Sequence, residues 1–123
     1  TMTDGRYTGL AVPLGDGRIE VFDARANART SELLSRGTAE QLYLAVRLGL
    51  IGQLGEVGSG LPVLMDDVLV NFDPARRRGA AEAIAELASG RQVVFFTCHP
   101  ETADLLAEVA SGHVRLDLPR LGC

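Results

Sequence analysis

Residues 61–73, LPVLMDDVLVNFD, restrict the fold more than any other stretch of the chain. Their first five residues form an apolar run, which is typical of a strand buried on both faces. The run ends in two adjacent carboxylates, Asp66 and Asp67. Asp73 then precedes Pro74, and this pair predicts a helix with an aspartate cap and a proline in its first turn. The order of strand, acid pair, loop and helix predicts an α/β unit whose polar groups follow the carboxyl end of a strand.

Alternating strand and helix patterns continue on both sides of this stretch. The predicted elements are a β-hairpin with strands at 7–13 and 18–23, a polar loop at 24–32, an apolar helix reaching residue 51, a helix at 74–89, a buried strand at 92–97, a helix from residue 100 to about 110 and a strand at 112–118. This pattern predicts an α/β fold with a mostly parallel sheet flanked by helices and an N-terminal β-hairpin. No repeat or linker divides residues 1–123, so we predict a single domain.

Length and composition limit the class of protein. With 123 residues, 46% of them apolar, the chain can bury one core. No apolar run reaches the length of a membrane span and two cysteines make no disulfide framework, so we expect a cytoplasmic protein with no membrane partner. The net charge of −4 disfavours a domain devoted to coating nucleic acid. All twelve basic residues are arginine, so a step that needs a lysine must take it from elsewhere.

The acid pair and a histidine further along the chain each have two interpretations. Aspartates after a strand often cap a turn, but Asp66 and Asp67 also stand where open α/β sheets bind their ligands. His99 follows the second buried strand, and a single histidine in such a place is often structural. If the two strands are parallel neighbours across a right-handed helical crossover, His99 emerges at the same sheet edge as the acid pair.

The start of the apolar helix is equally ambiguous. Ser35 can cap it, and Thr38 with Gln41 also matches a capping box. Main-chain N–H groups near Gly37 would point outward and offer a site for phosphate, whereas an ordinary capped core helix would use the same residues. The arginines at 76–78 oppose the dipole of the next helix and fit a phosphate, an acidic partner or a solvated surface.

The order of these motifs resembles the second half of an ATP-binding-cassette ATPase. The motifs are Leu34-Ser35-Arg36-Gly37, the apolar run ending in Asp66-Asp67, Asn71-Phe72-Asp73 and Thr97-Cys98-His99. Within that superfamily the chain is most similar to the heads of the SMC, RecF and RecN group, and closest to YhaN-like ATPases. The resemblance covers about residues 7–109 and implies a partial P-loop NTPase fold, namely the C-terminal lobe of an ABC/SMC-type head.

The resemblance implies a role for the helix start. Ser35 and Gly37, with Arg36 between them, match the signature motif, which in the family contacts the γ-phosphate of ATP held by the opposite subunit. Two residues depart from the family pattern, because Arg36 replaces the first glycine of the motif and Thr38 replaces its Gln or Glu. The helix-start geometry is expected to survive because Gly37 is kept.

Four further residues match family positions in the same way. Asp66 matches the Walker B carboxylate that holds Mg²⁺, and Asp67 stands at the position of the catalytic Glu, where the RecF branch also uses Asp. Asp73 matches the D-loop acid at the dimer interface. His99 matches the switch histidine that senses the γ-phosphate.

The resemblance also implies cofactors and partners. The cofactors are ATP and Mg²⁺, but the sequence contains no G-x-x-x-x-G-K-[ST] motif. In SMC-like proteins a long coiled coil separates the Walker A lobe from the C-terminal lobe. We therefore expect three partners: the N-terminal Walker A lobe of the same protein, a second head in a homodimer, and DNA, in repair, recombination or chromosome maintenance. The isolated chain is expected to be inactive as an ATPase.

Two other functions stay open at this stage. One is a non-catalytic interaction module that keeps the cassette fold, which Arg36 in the signature favours. The other is a receiver-like phosphoacceptor domain, which the acid pair and Thr97 suggest. The absence of lysine argues against the receiver, because such sites use a lysine to hold the phosphoryl group.

Overall fold

The computed structural model describes residues 7–11, 19–30, 34–54 and 60–119. In chain order their elements are β1 (Tyr7–Ala11), β2 (Glu20–Asp23), β3 (Ala28–Thr30), α1 (Arg36–Leu54), β4 (Val63–Asp66), α2 (Pro74–Gly90), β5 (Val93–Phe96) and α3 (Pro100–Val109). The predicted α/β class is confirmed. The connection predicted between the first two strands, at residues 14–17, lies outside the described residues.

Strands β1, β2 and β3 form an antiparallel sheet in that order, which confirms the predicted hairpin and adds a third strand. The prediction of a polar loop throughout 24–32 is wrong, because β3 lies within it. The carboxylate of Asp23 accepts hydrogen bonds from the backbone N–H groups of Arg25 (2.8 Å) and Asn27 (3.0 Å). These bonds satisfy a tight turn, so the chain folds back and pairs at once with β2.

Strands β4 and β5 are parallel neighbours, and α2 connects them as the crossover. Val63 pairs with Val93 and Asp66 with Phe96, so the two strands end level with each other. Helix α2 begins as predicted: Asp73 is its cap, with the side chain accepting a hydrogen bond from the Arg76 N–H at 3.0 Å. This parallel pair places the residues that follow both strands at one edge of the sheet.

Among the described residues, other elements cover the two strands on one face only. Met65 packs into a core with Leu69, Phe72 and Ile84, to which all three helices contribute. Leu64 and Phe96 point to the other face, where 66% and 47% of their surfaces are exposed. The prediction of a strand buried on both faces is therefore wrong for the described chain. We call Leu64 and Phe96 the open sheet face.

Helix α1 departs from its predicted pattern in two ways. It begins after Ser35, and Thr38 lies inside its first turn, so the alternative capping box of Thr38 and Gln41 is wrong. The expectation of burial nearly all round is also wrong, because Tyr43 and Leu50 are about half exposed. The apolar pattern of this helix exceeds what its neighbours in the described chain cover.

The strand predicted at 112–118 is absent from the described residues. Residues 113–119 have no regular structure, and the side chains of Val114, Leu116 and Leu118 are exposed. The alternation of apolar residues is typical of a strand, but a strand forms only where another edge pairs with it. Among the described residues, no strand pairs with this segment.

Candidate functional site

The level ends of β4 and β5 bring together side chains that are about 30 positions apart in sequence. The Asp67 N–H donates to the carbonyl of Phe96 at 2.9 Å, which extends the parallel pairing by one residue. The Thr97 hydroxyl donates to Asp67 Oδ1 at 2.5 Å, and the Cys98 thiol donates to Asp67 Oδ2 at 3.4 Å. We call Asp66, Asp67, Thr97, Cys98 and His99 the carboxylate cluster.

Asp67 adopts a backbone conformation that few residues tolerate. Its φ angle is 46°, in the left-handed region, and its carbonyl accepts a hydrogen bond from the Val70 N–H at 3.2 Å. Aspartate enters this region more readily than glutamate, because its short polar side chain bonds locally. The strand can therefore end in a sharp turn at the residue that carries the central carboxylate.

Hydrogen bonds fix the protonation states at the centre of the cluster. The bond from Thr97, helped by the Cys98 thiol and the charge of His99, lowers the pKa of Asp67. The bond from Cys98 to Asp67, together with the Asp67 charge, raises the pKa of the Cys98 thiol. Asp67 is thus an ionised acceptor and Cys98 a protonated donor. Cys98 follows β5 and is exposed.

His99 joins the same cluster through its backbone. Its N–H donates to Thr97 Oγ1 at 3.1 Å, and its carbonyl accepts from the Thr102 N–H at 3.1 Å at the start of α3. The imidazole is 37% exposed, with Nδ1 at 3.7 Å from Glu101 Oε1. The expectation that His99 emerges at the same edge as the acid pair is confirmed, and its ring is accessible to a ligand.

Asp66 is the last residue of β4 and is exposed. A carboxylate oxygen at the end of a parallel strand is the type of ligand that Mg²⁺ prefers in proteins. The neighbouring Asp67 adds a second negative charge, which would favour a cation over an anion at this edge. The residues present therefore fit a magnesium ion.

A second group of predicted residues meets at the start of α1. Ser35 Oγ accepts a hydrogen bond from the Thr38 N–H at 3.4 Å and shares another with Thr38 Oγ1 at 2.8 Å. Arg36 is exposed and its Nε lies 3.2 Å from Glu40 Oε1, one turn further along the helix. Glu40 Oε1 also accepts from Asn71 Nδ2 at 3.3 Å. These contacts join the first turns of α1 to the loop before α2.

Gly37 in the first turn of α1 lies against the Arg76 side chain in the first turn of α2. A Cβ atom placed on Gly37 would lie only 2.8 Å from Arg76 Nη1. The same guanidinium lies 3.2 Å from Asp73 Oδ2, measured from Nε. The structure therefore brings Ser35, Gly37 and Asp73 into one area, with Arg76 between the last two. We call these four residues the helix-start cluster.

Sequence reasoning missed several residues that hold these clusters in place. Thr97 was noted only as part of a motif and in support of the receiver-like alternative, although its position at the end of β5, level with Asp67, was a signal. The arginines at 76–78 are structural rather than merely solvated: Arg77 donates to the Phe72 carbonyl at 3.1 Å, and Arg78 lies 2.8 Å from Glu108 on α3. The contacts of Arg76 with Gly37 gave no local sequence signal, since a long side chain has many orientations.

Comparison with known proteins gives two relatives by sequence. No protein-family model matches the chain. It is 37% identical over 105 residues to uncharacterized protein YhaN of Bacillus subtilis (strain 168), covering 84% of this chain and 11% of that protein. It is 34% identical over 83 residues to ATP-binding cassette sub-family A member 7 of Rattus norvegicus, covering 64% of this chain and 4% of that protein. The chain therefore spans a small part of both relatives.

A solved structure reported in work on ATP-driven dimerization and DNA-stimulated activation of SMC ATPases shares the fold. The two structures superpose with a TM-score of 0.65 at 17% sequence identity. The superposition covers 97% of this chain and 73% of the solved one. The fold of the chain is thus that of part of an SMC ATPase head. None of the helices in the described ranges is both long and apolar enough to cross a membrane.

Proposed function

We propose that the chain is the C-terminal lobe of an SMC-like ATPase head, which hydrolyses ATP between two heads of a homodimer. The shared fold and the two relatives support an ATPase lobe. The Walker A lobe would come from another part of the same protein. We extend to this chain the ATP-driven dimerization and the DNA partner of the SMC ATPases whose fold it shares, with a cytoplasmic role in repair, recombination or chromosome maintenance.

One observation carries this proposal. The parallel pairing of β4 and β5 gathers the whole carboxylate cluster at one sheet edge, and its central carboxylate is held by Thr97 and Cys98. Phosphoryl transfer requires a metal ligand, a group that orients water and donors around the γ-phosphate. Asp66, Asp67 and His99 supply one group for each of these tasks.

The hydrogen bonds of Asp67 define what it does in this mechanism. Its lowered pKa keeps the carboxylate ionised, and a carboxylate has about four acceptor sites, of which Thr97 and Cys98 use two. The remaining sites accept hydrogen bonds from the attacking water. A low pKa also makes Asp67 a weak base, so we infer that it acts by orienting the water rather than by removing its proton early.

Asp66 and His99 act on the charge of the phosphates. Asp66 would hold Mg²⁺, which when bound neutralises charge on the β- and γ-phosphates. The His99 ring would donate a hydrogen bond to the γ-phosphate, and its bond to Thr97 fixes the backbone from which the ring extends. Thr97 therefore positions both Asp67 and His99.

The helix-start cluster would serve the ATP of the second head. The first N–H groups of α1, together with the Ser35 hydroxyl, are suited to bind phosphate. The Arg36 side chain lies along the helix toward Glu40. This orientation supports a signature motif that binds phosphate although Arg36 replaces its first glycine. Asp73 caps α2 beside it and would lie at the interface between the heads, as the D-loop acid does in the family.

Replacing Asp67 by asparagine in the full-length protein tests this proposal. We expect ATP hydrolysis to fall by about a hundredfold or more, while ATP binding in the presence of Mg²⁺ persists because Asp66 remains. The control is Asp117→Asn, a change of the same chemistry at an exposed residue outside both clusters. Turnover close to that of the control would contradict catalysis by Asp67 and would favour the non-catalytic interaction module.

A further inference from the structure

We propose that Asp67, Cys98 and His99 form a binding site for a zinc-class divalent metal ion. One ligand atom from each residue, a carboxylate oxygen, a thiol sulfur and an imidazole nitrogen, lies within 4.8 Å of the other two. All three residues follow the level ends of the parallel strands, so their spacing is set by the sheet rather than by a flexible loop. The site is distinct in its ligands from the Mg²⁺ position assigned to Asp66.

The chemistry of the three ligands selects the metal. Sulfur and nitrogen are typical ligands of Zn²⁺ and of cobalt, whereas Mg²⁺ takes oxygen ligands almost exclusively. Three protein ligands leave the fourth position of a tetrahedral site open to water. The set of one Asp, one Cys and one His therefore favours a thiophilic ion such as Zn²⁺ over Mg²⁺.

The spacing of the ligand atoms is already close to that of a metal site. Tetrahedral zinc with bonds of about 2.0–2.3 Å separates neighbouring ligand atoms by about 3.6 Å. Cys98 Sγ and Asp67 Oδ2 are 3.4 Å apart, with the thiol proton between them. A metal ion would take the place of that proton, which leaves to solvent as the sulfur binds. A ring nitrogen of His99 lies within 4.8 Å of the thiol sulfur and of an Asp67 carboxylate oxygen, so a movement of the imidazole toward these atoms would complete the set.

Neighbouring groups hold the ligands in place. The Thr97 hydroxyl donates to Asp67 Oδ1, which leaves Oδ2 facing the thiol, and it also accepts from the His99 N–H. Glu101 Oε1 lies 3.7 Å from His99 Nδ1, and a carboxylate beside an imidazole orients the ring and makes it a better ligand. The exposed Cys98 gives an ion direct access from solvent.

Metal binding would also regulate the proposed hydrolysis. Asp67 and His99 belong to both sets, so a bound zinc ion removes the carboxylate that orients water. This consequence depends on the proposed function, whereas metal binding by the chain does not. If zinc binds without an effect on ATP hydrolysis, the proposed regulation is overturned but the metal site stands. The loss of hydrolysis in Asp67→Asn tests the proposed function separately, because it is expected whether or not the metal binds.

The test is a titration of the tag-free 123-residue chain with Co²⁺, followed by displacement with Zn²⁺. The background variant Cys123→Ser leaves Cys98 as its only thiol. We expect one cobalt ion per chain, with a near-ultraviolet thiolate-to-cobalt band and the visible bands of tetrahedral cobalt. One equivalent of Zn²⁺ should abolish these bands, and millimolar Mg²⁺ should leave them unchanged.

Two variants test the thiol and imidazole ligands, and a third is the control. Cys98→Ser is nearly isosteric at an exposed residue and should remove the thiolate band, with an unchanged circular dichroism spectrum as the check on folding. His99→Ala should weaken zinc binding at least about tenfold. The matched control is His113→Ala, because His113 is exposed and contacts the Ala110 carbonyl instead of the cluster. The proposal is overturned if the thiolate band is missing in the background chain, if Cys98→Ser keeps it, or if the two histidine variants lose affinity equally.

Discussion

The contact between Gly37 and Arg76 predicts a measurable coupling between the two helix starts. A Cβ atom at residue 37 would lie 2.8 Å from Arg76 Nη1, whereas ordinary contacts begin at 3.4 Å. In Gly37→Ala the guanidinium must therefore retreat by about 0.6 Å and strain its ion pair with Asp73. Arg76 is a flexible side chain, so we expect the helix to stay intact while this pair weakens.

The energies involved can be estimated. Replacing a helical glycine by alanine stabilises a helix by up to about 1 kcal/mol. A partly exposed ion pair such as Arg76–Asp73 contributes about 1 kcal/mol at most. The two effects oppose each other in Gly37→Ala, so we expect its free energy of unfolding to change by less than about 0.5 kcal/mol. Gly49→Ala is the control, because a Cβ at this other glycine of α1 contacts nothing within 4 Å and should stabilise by about 0.5–1 kcal/mol.

The assay is urea unfolding of the chain, combined with a double-mutant cycle. Gly37→Ala is measured with and without Arg76→Ala, and the midpoints are compared at constant m-value. In the Arg76→Ala background, alanine at residue 37 should raise the free energy of unfolding as it does at an unhindered helix position. The coupling free energy between the two changes should then be about 0.5–1 kcal/mol. A coupling near zero would refute the packing of Arg76 against Gly37, because the alanine would then have the same effect in both backgrounds.

Two further predictions concern the carboxylate and helix-start clusters. Asp67→Asn should lower the pKa of Cys98, because the Asp67 carboxylate raises it, so the thiolate fraction at pH 8 and the rate of alkylation by iodoacetamide should rise. Mass spectrometry of the peptide that contains Cys98, with a metal chelator present, measures the rate; a slower reaction would mean that the carboxylate does not hold the thiol. Tethered full-length dimers can carry one Ser35→Arg and one Asp67→Asn change in two arrangements. A dimer with the two changes on different heads should retain ATPase activity, since one composite site stays complete. A dimer with both changes on one head has both sites damaged and should lose its activity. If this dimer were instead the more active of the two, Ser35 and Asp67 would serve the same nucleotide.

Local sequence signals were sufficient for much of the carboxylate cluster. The cap at Asp73 and the proline after it define the start of α2 without help from the rest of the fold. The apolar runs predicted β4 and β5, and the structure meets the condition, stated for a helical crossover, that the two strands are parallel neighbours. The meeting of Asp67 and His99 followed from these two steps, although their roles in catalysis stay predictions.

The errors arose where structure depends on neighbours distant in sequence. An apolar run predicts burial but not which face is covered, so Leu64 could not be assigned to an exposed face. Residues 112–118 have the alternation of a strand, yet pairing requires an edge that the sequence does not specify. The strand β3 was missed for the opposite reason, because its polar residues pair with β2 only after the turn held by Asp23.

The open sheet face has a colloidal consequence. Leu64 and Phe96 present apolar surface to water, and at neutral pH the net charge of −4 keeps separate molecules apart. The chain has 16 acidic and 12 basic residues, so mild acidification cancels this charge. The repulsion then fades while the apolar surface remains, and added salt screens the repulsion in the same way. Turbidity of the isolated chain should therefore rise with concentration, steeply as the pH falls toward charge neutrality.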